Sequence, residues 1–550
     1  MYANHIVSKE PSSRQLLGLF GCTPVVMAIF ATLCLALGGH AAQARTIVDP
    51  GDGPIGGPPP PPLSPPPPVP PTVPTPAQPS YVVWTSAHGN ADNTGFARVN
   101  TAPAAFANQI GFANVGHVAP GANPVTGPDG TVYIGNLEGE LIALRADGKL
   151  YWKRKLNPEH GAIFAAPAVG ADGSVYVVSN MGYVDHRSGV TTPLHTCFLH
   201  KFSPGGAWVY WKAFPKSTLY PFTDGGASTA PPNIWHGSAG DVIMIPVIYK
   251  GLDRELRVIA FSTNGTVLAS KRVTLQVTGI VTQSPLDGLL TFLDNCIVHY
   301  FSFTCFDFNG PPAQFPFPEV GWPQPGVAVW EGSPYVWVAD GIRNTVLYQF
   351  DPATGFSETS RFSDPKDRFS SPPVALDNLV AAVGTENEQL KFEHEGFLIP
   401  LFGPGLVLAP ITAAPTRMAD GRLVVIARNG RMSVINAHSV VLQQQLNGAS
   451  IASAAASCTH LFVSTTNELV TFDVTNMMPV ARIPWTDGGR HSPVVGPQGH
   501  VYAMTNFGLF VFAPPKKALF PVFTSFGTAC DPPVMIGAGV ILPTTTLSGH

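Results

Sequence analysis

The chain contains little charge. Asp, Glu, Lys and Arg make up 12% of its 550 residues, and the formal net charge is −4. A chain without an extended basic run lacks the electrostatic footprint of a nucleic-acid-binding protein, so we predict no nucleic-acid partner. We interpret the densest basic clusters as solvated residues of turns and strand ends: Lys153-Arg154-Lys155, Lys271-Arg272 and Lys516-Lys517.

Catalytic motifs are also missing. The sequence has no H-E-x-x-H, G-x-S-x-G or Walker A motif, and no glycine-rich dinucleotide fingerprint placed between a predicted strand and a helix. His195-Thr-Cys-Phe-Leu-His200 and Glu393-His-Glu395 contain metal-binding residue types, but structural zinc needs four ligands and no second pair with suitable spacing is present. We interpret the first as surface or loop residues and the second as a solvated strand edge. Asp129 and Asp172 are interpreted as turn residues, with calcium binding as the alternative. The sequence therefore predicts no catalytic residue and no metal ligand.

No long amphipathic helix can be traced; instead, 55 Gly and 57 Pro punctuate the chain throughout. Residues 123–152 hold three short β runs that are separated by glycine turns. Thr131–Ile134 and Glu140–Leu144 are rich in β-branched, aromatic and aliphatic residues. Pro128-Asp129-Gly130 and Glu138-Gly139 place glycine where a hairpin needs positive φ. One such unit cannot bury its own faces, so copies of it must stack.

Degraded copies of this unit recur along the chain. Their spacing of roughly 40–45 residues, with four short strands per unit, is the size of a propeller blade, whereas leucine-rich and helical repeats have other patterns. We predict an all-β propeller of four-stranded blades, with eight blades as the central estimate and seven or nine and more as alternatives. The recognised starts lie at Asn123, Ala166, Ala230, Ser284, Gly326, Ser371, Ala414, Ser492 and Asp531.

The two chain ends are predicted to close one blade. The tail from Asp531 matches only the first half of a unit, and the segment near Trp84 is expected to supply the missing strands. Such closure removes exposed sheet edges. The alternative is that the tail forms an extra surface hairpin.

Residues 1–44 are predicted to be a signal peptide. Lys9 and Arg14 precede an apolar run, and Ala42-x-Ala44 fits the small-residue rule for cleavage. Residues 16–39 are also long enough to cross a bilayer, so an uncleaved anchor is the alternative. Both interpretations place the rest of the chain outside the cytoplasm, as a secreted, periplasmic or cell-surface protein.

Residues 45–80 are predicted to be a proline-rich linker, and residues 81–550 to form the propeller. Half of the linker block 51–80 is proline, 15 residues in all. Such a segment adopts polyproline II and acts as a semi-rigid spacer, with a disordered linker as the alternative.

Five cysteines lie beyond residue 44. In an exported protein some of them should be oxidised, and Cys296 and Cys305, nine residues apart across a predicted hairpin, are the best candidate pair. An odd count leaves at least one cysteine free or paired between chains. The pairing of Cys197, Cys458 and Cys530 stays open.

Two phrases, Gly127–Gly135 and Gly139–Trp152, resemble the PQQ-like repeat of the quinoprotein alcohol dehydrogenase-like superfamily. Trp84–Gly95 is similar to the Trp…Gly-(Asn/Asp)…Thr-Gly opening that is common in those proteins. The resemblance extends over about residues 81–550. It implies a β-propeller, and the superfamily includes quinone-dependent dehydrogenases as well as non-enzymatic scaffolds such as the outer-membrane β-barrel assembly lipoprotein.

The resemblance alone does not carry an activity over to this chain. Quinone-dependent alcohol dehydrogenases of the family have adjacent cysteines beside the cofactor, and this chain has no Cys-Cys pair. Their calcium ligands and catalytic Asp match no motif here. We therefore expect a non-catalytic propeller scaffold, without a cofactor, that binds a protein or polysaccharide partner at the cell envelope or outside the cell.

The alternative is an alcohol or sugar dehydrogenase-like oxidoreductase that depends on PQQ and calcium. A binding site for PQQ, a planar polyanion, should offer Arg or Lys near a Trp ring. The residues available for PQQ are Arg145, Arg257, Arg428 and Trp330.

A third hypothesis is a propeller that cleaves glycans, which requires two carboxylates at one channel mouth.

Overall fold

The computed structural model describes residues 84–513 with gaps, the longest of which are 102–108, 216–227, 278–325 and 401–409. The chain divides into two compact units, Met1–Pro76 and Ala77–His550, and all described residues belong to the second. These residues form strands and no α-helix. None of them forms a helix long and apolar enough to span a membrane, and the predicted span 16–39 lies outside the described residues.

Eight four-stranded antiparallel sheets dominate the described residues, and each one is a blade. Blade 1 contains β2 Val125–Thr126, β3 Val132–Gly135, β4 Glu140–Leu144 and β5 Leu150–Lys155. Blade 2 contains β6 Ala168–Val169, β7 Val175–Met181, β10 Thr196–Phe202 and β11 Trp208–Ala213, with the hairpin β8 Val184–Asp185 and β9 Val190–Thr191 inserted between its middle strands. Blade 3 contains β12 Asn233–Gly237, β13 Gly240–Lys250, β14 Asp253–Ser262 and β15 Val267–Val277. Blade 4 contains β16 Gly326–Val329, β17 Tyr335–Ala339, β18 Asn344–Asp351 and β19 Gly355–Ser363.

The remaining blades follow in chain order. Blade 5 contains β20 Val374–Ala375, β21 Val380–Gly384, β22 Leu390–His394 and β23 Phe397–Pro400. Blade 6 contains β24 Thr416–Arg417, β25 Leu423–Ile426, β26 Arg431–Asn436 and β27 Ser439–Gln445. Blade 7 contains β28 Ala455–Ala456, β29 His460–Ser464, β30 Glu468–Asp473 and β31 Pro479–Pro484. Blade 8 contains β32 Val494–Val495, β33 Val501–Thr505 and β34 Gly508–Phe512, and its fourth strand is β1 Gln109–Ala113.

Strand composition follows position within a blade. The inner strands are covered on both faces by neighbouring blades, so they are short, continuous buried runs such as β29. The outermost strands face solvent on one side and alternate between exposed and half-buried residues, as in β27. The predicted hairpin turns are present, with positive φ at Gly130, Gly139 and Gly148.

Buried clusters join each blade to the next and close the ring. Blades 7, 8 and 1 share one cluster, which contains Phe462, Val501 and Ile134. The ring therefore has no break between its last and first blades. The other neighbouring blades share clusters that include Tyr133 with Val177, Val178 with Ile243, Val258 with Val338, Trp337 with Ala375, Ala382 with Val425, and Val434 with Val463.

Both ends of the described chain meet in blade 8. Strand β1 pairs antiparallel with β34, with Phe112 opposite Phe510 and Ala113 opposite Leu509. Closure by an N-terminal strand is thus as predicted, but the strand is Gln109–Ala113 and not the segment near Trp84. The predicted C-terminal contribution from Asp531 lies outside the described residues.

Candidate functional site

The segment Trp84–Val99, which we name the axial segment, lies along the innermost strands of the blades. Its backbone carbonyls accept hydrogen bonds from strand after strand as it winds around the ring. The innermost strands have no other partner on that edge among the described residues, so the axial segment satisfies their inward backbone groups. The bonds run from Thr126 N to Trp84 O (2.7 Å), Val169 N to Thr85 O (2.8 Å), Val329 N to Ala91 O (2.8 Å), Ala375 N to Asp92 O (3.0 Å), Arg417 N to Thr94 O (2.7 Å) and Ala456 N to Gly95 O (2.7 Å).

Two asparagines add side-chain bonds at the same place. Asn93 adopts φ of 59°, and its amide donates to Val327 O at 2.8 Å and Pro373 O at 3.0 Å. The amide of Asn233, at the start of blade 3, donates to Ala91 O at 2.8 Å and to Val327 O at 2.7 Å. A left-handed residue that is held by buried bonds indicates that the fold over-determines this path. Blades 3, 4 and 5 are therefore tied together through the axial segment.

His88 is a buried titratable group of the axial segment. Its Nε2 lies 3.0 Å from Pro415 O, and since a carbonyl only accepts, Nε2 carries the proton. Burial lowers the pKa of His88 to about 4, although the bond to Pro415 opposes this shift. The imidazole is therefore neutral at physiological pH and acts as a structural donor.

A second buried histidine lies where blade 8 meets blade 1. Burial, reinforced by the neighbouring Arg490, lowers the pKa of His491 to about 3. The next residue, Ser492, donates its N–H to the side chain of Asn123 at 2.8 Å, and Asn123 donates to Ala87 O at 3.0 Å. This network links the last blade, the first blade and the axial segment.

The interpretation of His195–His200 as surface or loop residues is wrong for Cys197 and His200, which are fully buried on β10 because the strand is covered by neighbouring blades. Cys197 is a free, buried cysteine that donates to Asn180 at 2.9 Å, and burial raises the pKa of its thiol. His200 Nε2 lies 2.8 Å from Ser179 Oγ in the same sheet. His195 lies outside the described residues. The described part of the chain holds no group of three or more His, Cys, Asp or Glu side chains that could bind a metal ion.

The acidic turn residues have local roles. Asp129 accepts hydrogen bonds from the backbone and hydroxyl of Thr131, and Asp172 does the same with Ser174. Both carboxylates stabilise their own hairpin turns, as interpreted from the sequence.

Three of the cysteines that were weighed for disulfides lie outside the described residues: Cys296, Cys305 and Cys530. Cys458, in contrast, is described and is disulfide-bonded. Because Cys197 is free, the partner of Cys458 lies outside the described residues.

The residues available for PQQ are distributed over separate blades. Arg145 lies over Tyr151 of blade 1 at 5.3 Å, Arg257 of blade 3 pairs with Glu255 at 2.8 Å, and Arg428 belongs to a turn of blade 6. Trp330 does have an arginine on its ring, at 5.9 Å, but it is the buried Arg417 of β24. Without grouped acidic ligands for calcium, these described residues do not fit PQQ with calcium, and we derive no step through that cofactor.

The outer rim of the ring presents a different chemistry. Among the described residues, the exposed aromatic side chains are Phe112, Tyr151, Trp208 and Trp211, with exposed fractions of 49%, 46%, 39% and 48%. They lie on β1, β5 and β11, the outermost strands of the consecutive blades 8, 1 and 2. The sequence predicts no role for these residues, because a short strand does not reveal which position in a blade it occupies.

A PQQ-type family model, described as outer membrane protein assembly factor BamB, matches residues 81–191. This match begins just before the axial segment and covers blade 1 and the first strands of blade 2. The chain is a β-propeller, and its residues 81–191 are similar to the PQQ-type family. The resemblance and the fold class predicted from the sequence are thereby confirmed, and the eight blades of the described residues agree with the central estimate.

Solved structures with similar folds share little sequence with this chain. BamB from Moraxella catarrhalis is 12% identical, with 75% of this chain and 99% of that chain covered and a TM-score of 0.44. Sqt1 from Saccharomyces cerevisiae is 10% identical, with 74% and 99% covered and a TM-score of 0.47. The C-terminal WD40 domain of Sif2 is 11% identical, with 74% and 98% covered and a TM-score of 0.45. No curated protein sequence matches this chain.

Proposed function

We propose that this propeller is an exported scaffold that binds a protein or polysaccharide partner at the cell envelope or outside the cell, and that it is not a catalyst. The observation that carries the proposal is the axial segment. It accepts backbone hydrogen bonds from the innermost strands of six blades, and a side-chain hydrogen bond from Asn233 of blade 3. Surfaces for partners then lie on the rim and the loops.

The buried polar groups near the axis support a structural role. His88 donates to a backbone carbonyl and is held neutral, and Asn93 is committed to two carbonyls. None of these groups pairs with a carboxylate in the manner of a general acid or base, so their chemistry is that of a packed interior.

The family model is named for an outer membrane protein assembly factor, which supports a protein partner and a place outside the cytoplasm. The predicted signal peptide 1–44 and proline-rich linker 45–80 support the same location, since they would export the propeller and hold it away from its anchor point. We expect the mature chain to begin at Arg45. N-terminal sequencing of the exported protein measures this directly, and an intact N-terminus would favour the anchor.

The competing oxidoreductase has a direct test. Purified protein is mixed with PQQ and Ca²⁺, and cofactor absorbance and dye-linked alcohol oxidation are recorded after gel filtration. We expect no retained cofactor and no turnover, because the described residues supply no grouped calcium ligands. Stoichiometric retention of PQQ would overturn the scaffold proposal.

A further inference from the structure

The outermost strands of blades 1, 2 and 3 are basic. Counting Lys and Arg gives three on β5, one on β11 and two on β15, six in total, and no Asp or Glu lies on any of the three strands. This run is local, because the whole chain has a formal net charge of −4. On β5 and β11 the cations follow the exposed aromatic residues along the strand.

Part of this charge has no internal partner. Lys153 pairs with Glu140 at 3.0 Å, and Arg272 pairs with Glu255 at 3.1 Å. Arg154 instead donates to two backbone carbonyls, Gly206 O at 2.7 Å and Lys153 O at 3.0 Å. Lys155 and Lys212 are exposed and have no carboxylate within ion-pair distance among the described residues. Lys153 and Lys155 share the one carboxylate of Glu140, which faces Lys155 across the strands. Arg154 and Lys212 form no ion pair with a described carboxylate, so the outermost strands keep an excess of positive charge.

The aromatic groups are fixed in place. Trp208 stacks on Phe202 with ring centroids 5.8 Å apart and an angle of 18° between the rings. Phe202 in turn stacks on Trp152 of blade 1 at 6.4 Å, and Trp211 meets Phe198 edge-on at 5.5 Å. Rigid, half-exposed tryptophans next to arginine are the side chains that dominate protein interfaces.

The outer edges of β5 and β11 are open among the described residues, because each is the last strand of its sheet. An open edge exposes unpaired N–H and C=O groups that can pair with an added strand. A strand added to β5 would place side chains directly opposite Lys153, Arg154 and Lys155, where opposite charge stabilises and like charge destabilises.

We propose that the β5–β11 rim, formed by Tyr151, Arg154, Lys155, Trp208, Trp211 and Lys212, docks an extended acidic segment of a partner protein that also carries apolar side chains. This inference rests on the scaffold function proposed above and names the chemistry of its partner. Negative residues pair with the cations of the rim, and apolar residues cover the tryptophans.

Other occupants fit the rim less well. A second copy would bring the same basic strands together, and like charges at an edge oppose pairing. A bilayer surface is flat, whereas outermost strands of neighbouring blades face different directions around a ring. Anionic vesicles and polyuronate oligomers therefore serve as competing probes.

The test uses the full mature chain and three sets of labelled 14-residue peptides that alternate apolar residues with Glu, Gln or Lys. Fluorescence anisotropy should show that the Glu peptides bind at least tenfold more tightly than the Gln peptides, and that the Lys peptides do not bind. Raising the salt concentration should weaken the binding of the Glu peptides. Equal affinity for the three sets, or no binding by any of them, overturns the proposal.

Matched variants locate the site. The double variant Lys155→Gln, Lys212→Gln should bind the Glu peptides at least fivefold more weakly. The control Ser439→Glu, Val441→Glu on β27 also lowers the net charge by two and should bind them as the wild type does. Trp211→Ser should weaken binding at least tenfold and Val441→Ser should leave it unchanged, since both residues are about half exposed. The proposal that the rim binds a peptide is wrong if the rim variants leave peptide affinity unchanged, or if the protein binds vesicles or polyuronate more tightly than the peptides. PQQ turnover would remove the scaffold function alone, so the two failures are distinguishable.

Discussion

His88 and His491 are imidazoles that the fold keeps neutral. Burial lowers their pKa values to about 4 and about 3, whereas an unfolded histidine titrates near 6.5. Above pH 6.5 both states are neutral and the full stability is present. As the pH falls from 6.5 towards 4, the unfolded chain takes up protons that the folded chain refuses, so the fold loses stability.

This sign gives a measurable slope. Each of the two histidines should lower the unfolding free energy by about 1.4 kcal/mol for each pH unit below 6.5 within that window. Urea unfolding of the wild type and of His491→Gln between pH 4.5 and 8 should show a shallower slope in the variant, by about one proton. Parallel curves would show that His491 does not carry a depressed pKa in the folded state.

Gly95 is the position of the axial segment where a side chain fits least. Its φ is +63°, and an added Cβ would lie 2.5 Å from His88 and 3.1 Å from Thr416. Gly95→Ala should cost more than about 2 kcal/mol of unfolding free energy, because a left-handed alanine is strained and the buried His88 cannot retreat.

Gly121→Ala is the matched control for that change. Gly121 also has positive φ, +81°, but an added Cβ meets nothing within 4 Å. Gly121→Ala should therefore lower the unfolding free energy only by the cost of a left-handed alanine, about 1 kcal/mol. Equal losses in the two variants, measured by chemical denaturation, would show that the close packing of Gly95 against His88 contributes nothing to stability.

At the scale of elements, the sequence predicts the blades better than the segments between them. The start signals at Asn123, Ala166, Ser371, Ala414 and Ser492 all precede innermost strands, because proline and a β-branched or small residue mark the entry to a buried strand. The start of blade 7 was missed, since Ser453–Ser457 is a run of serine and alanine with no proline and no branched residue.

The axial segment could not be placed from its pattern. Trp84 to Gly95 is similar to the opening of PQQ-like proteins, yet its glycines and asparagines read only as turns. Its actual position depends on backbone bonds to six innermost strands, from Thr126 to Ala456. Such partners lie tens to hundreds of residues away, so no local periodicity reveals them.

The sequence also does not reveal the surface formed by β5 and β11. Lys153-Arg154-Lys155 was interpreted as a solvated strand end, which its exposure confirms, but the adjacency of β5 to Trp208 and Trp211 needs the packing of two blades. A propeller makes neighbours of strands that are about 55 residues apart in the chain. Composition of a single strand therefore understates the surface that it builds.

At the scale of the whole molecule, the ring is closed by a single strand from the other end of the chain. β1 pairs with β34 of blade 8, and the rings of Phe112 and Phe510 lie 5.1 Å apart. Residues about 400 positions apart in sequence are thus held together without any covalent link at this point in the described chain. Because closure removes two sheet edges at once, its loss should open the ring and expose both of them.

A disulfide at this seam tests the closure. Phe112→Cys with Phe510→Cys places two cysteines at paired positions of β1 and β34, where cross-strand geometry suits a bridge. Linking residues that far apart should raise the unfolding free energy by up to about 6 kcal/mol in the chain-entropy account. We expect a higher melting temperature in the oxidised protein, reversed by reductant. Phe112→Cys with Val441→Cys, which joins blade 8 to blade 6, should form no bridge in the folded monomer. Efficient bridging in that mismatched pair, or failure of the matched pair to oxidise, would mean that β1 does not close blade 8.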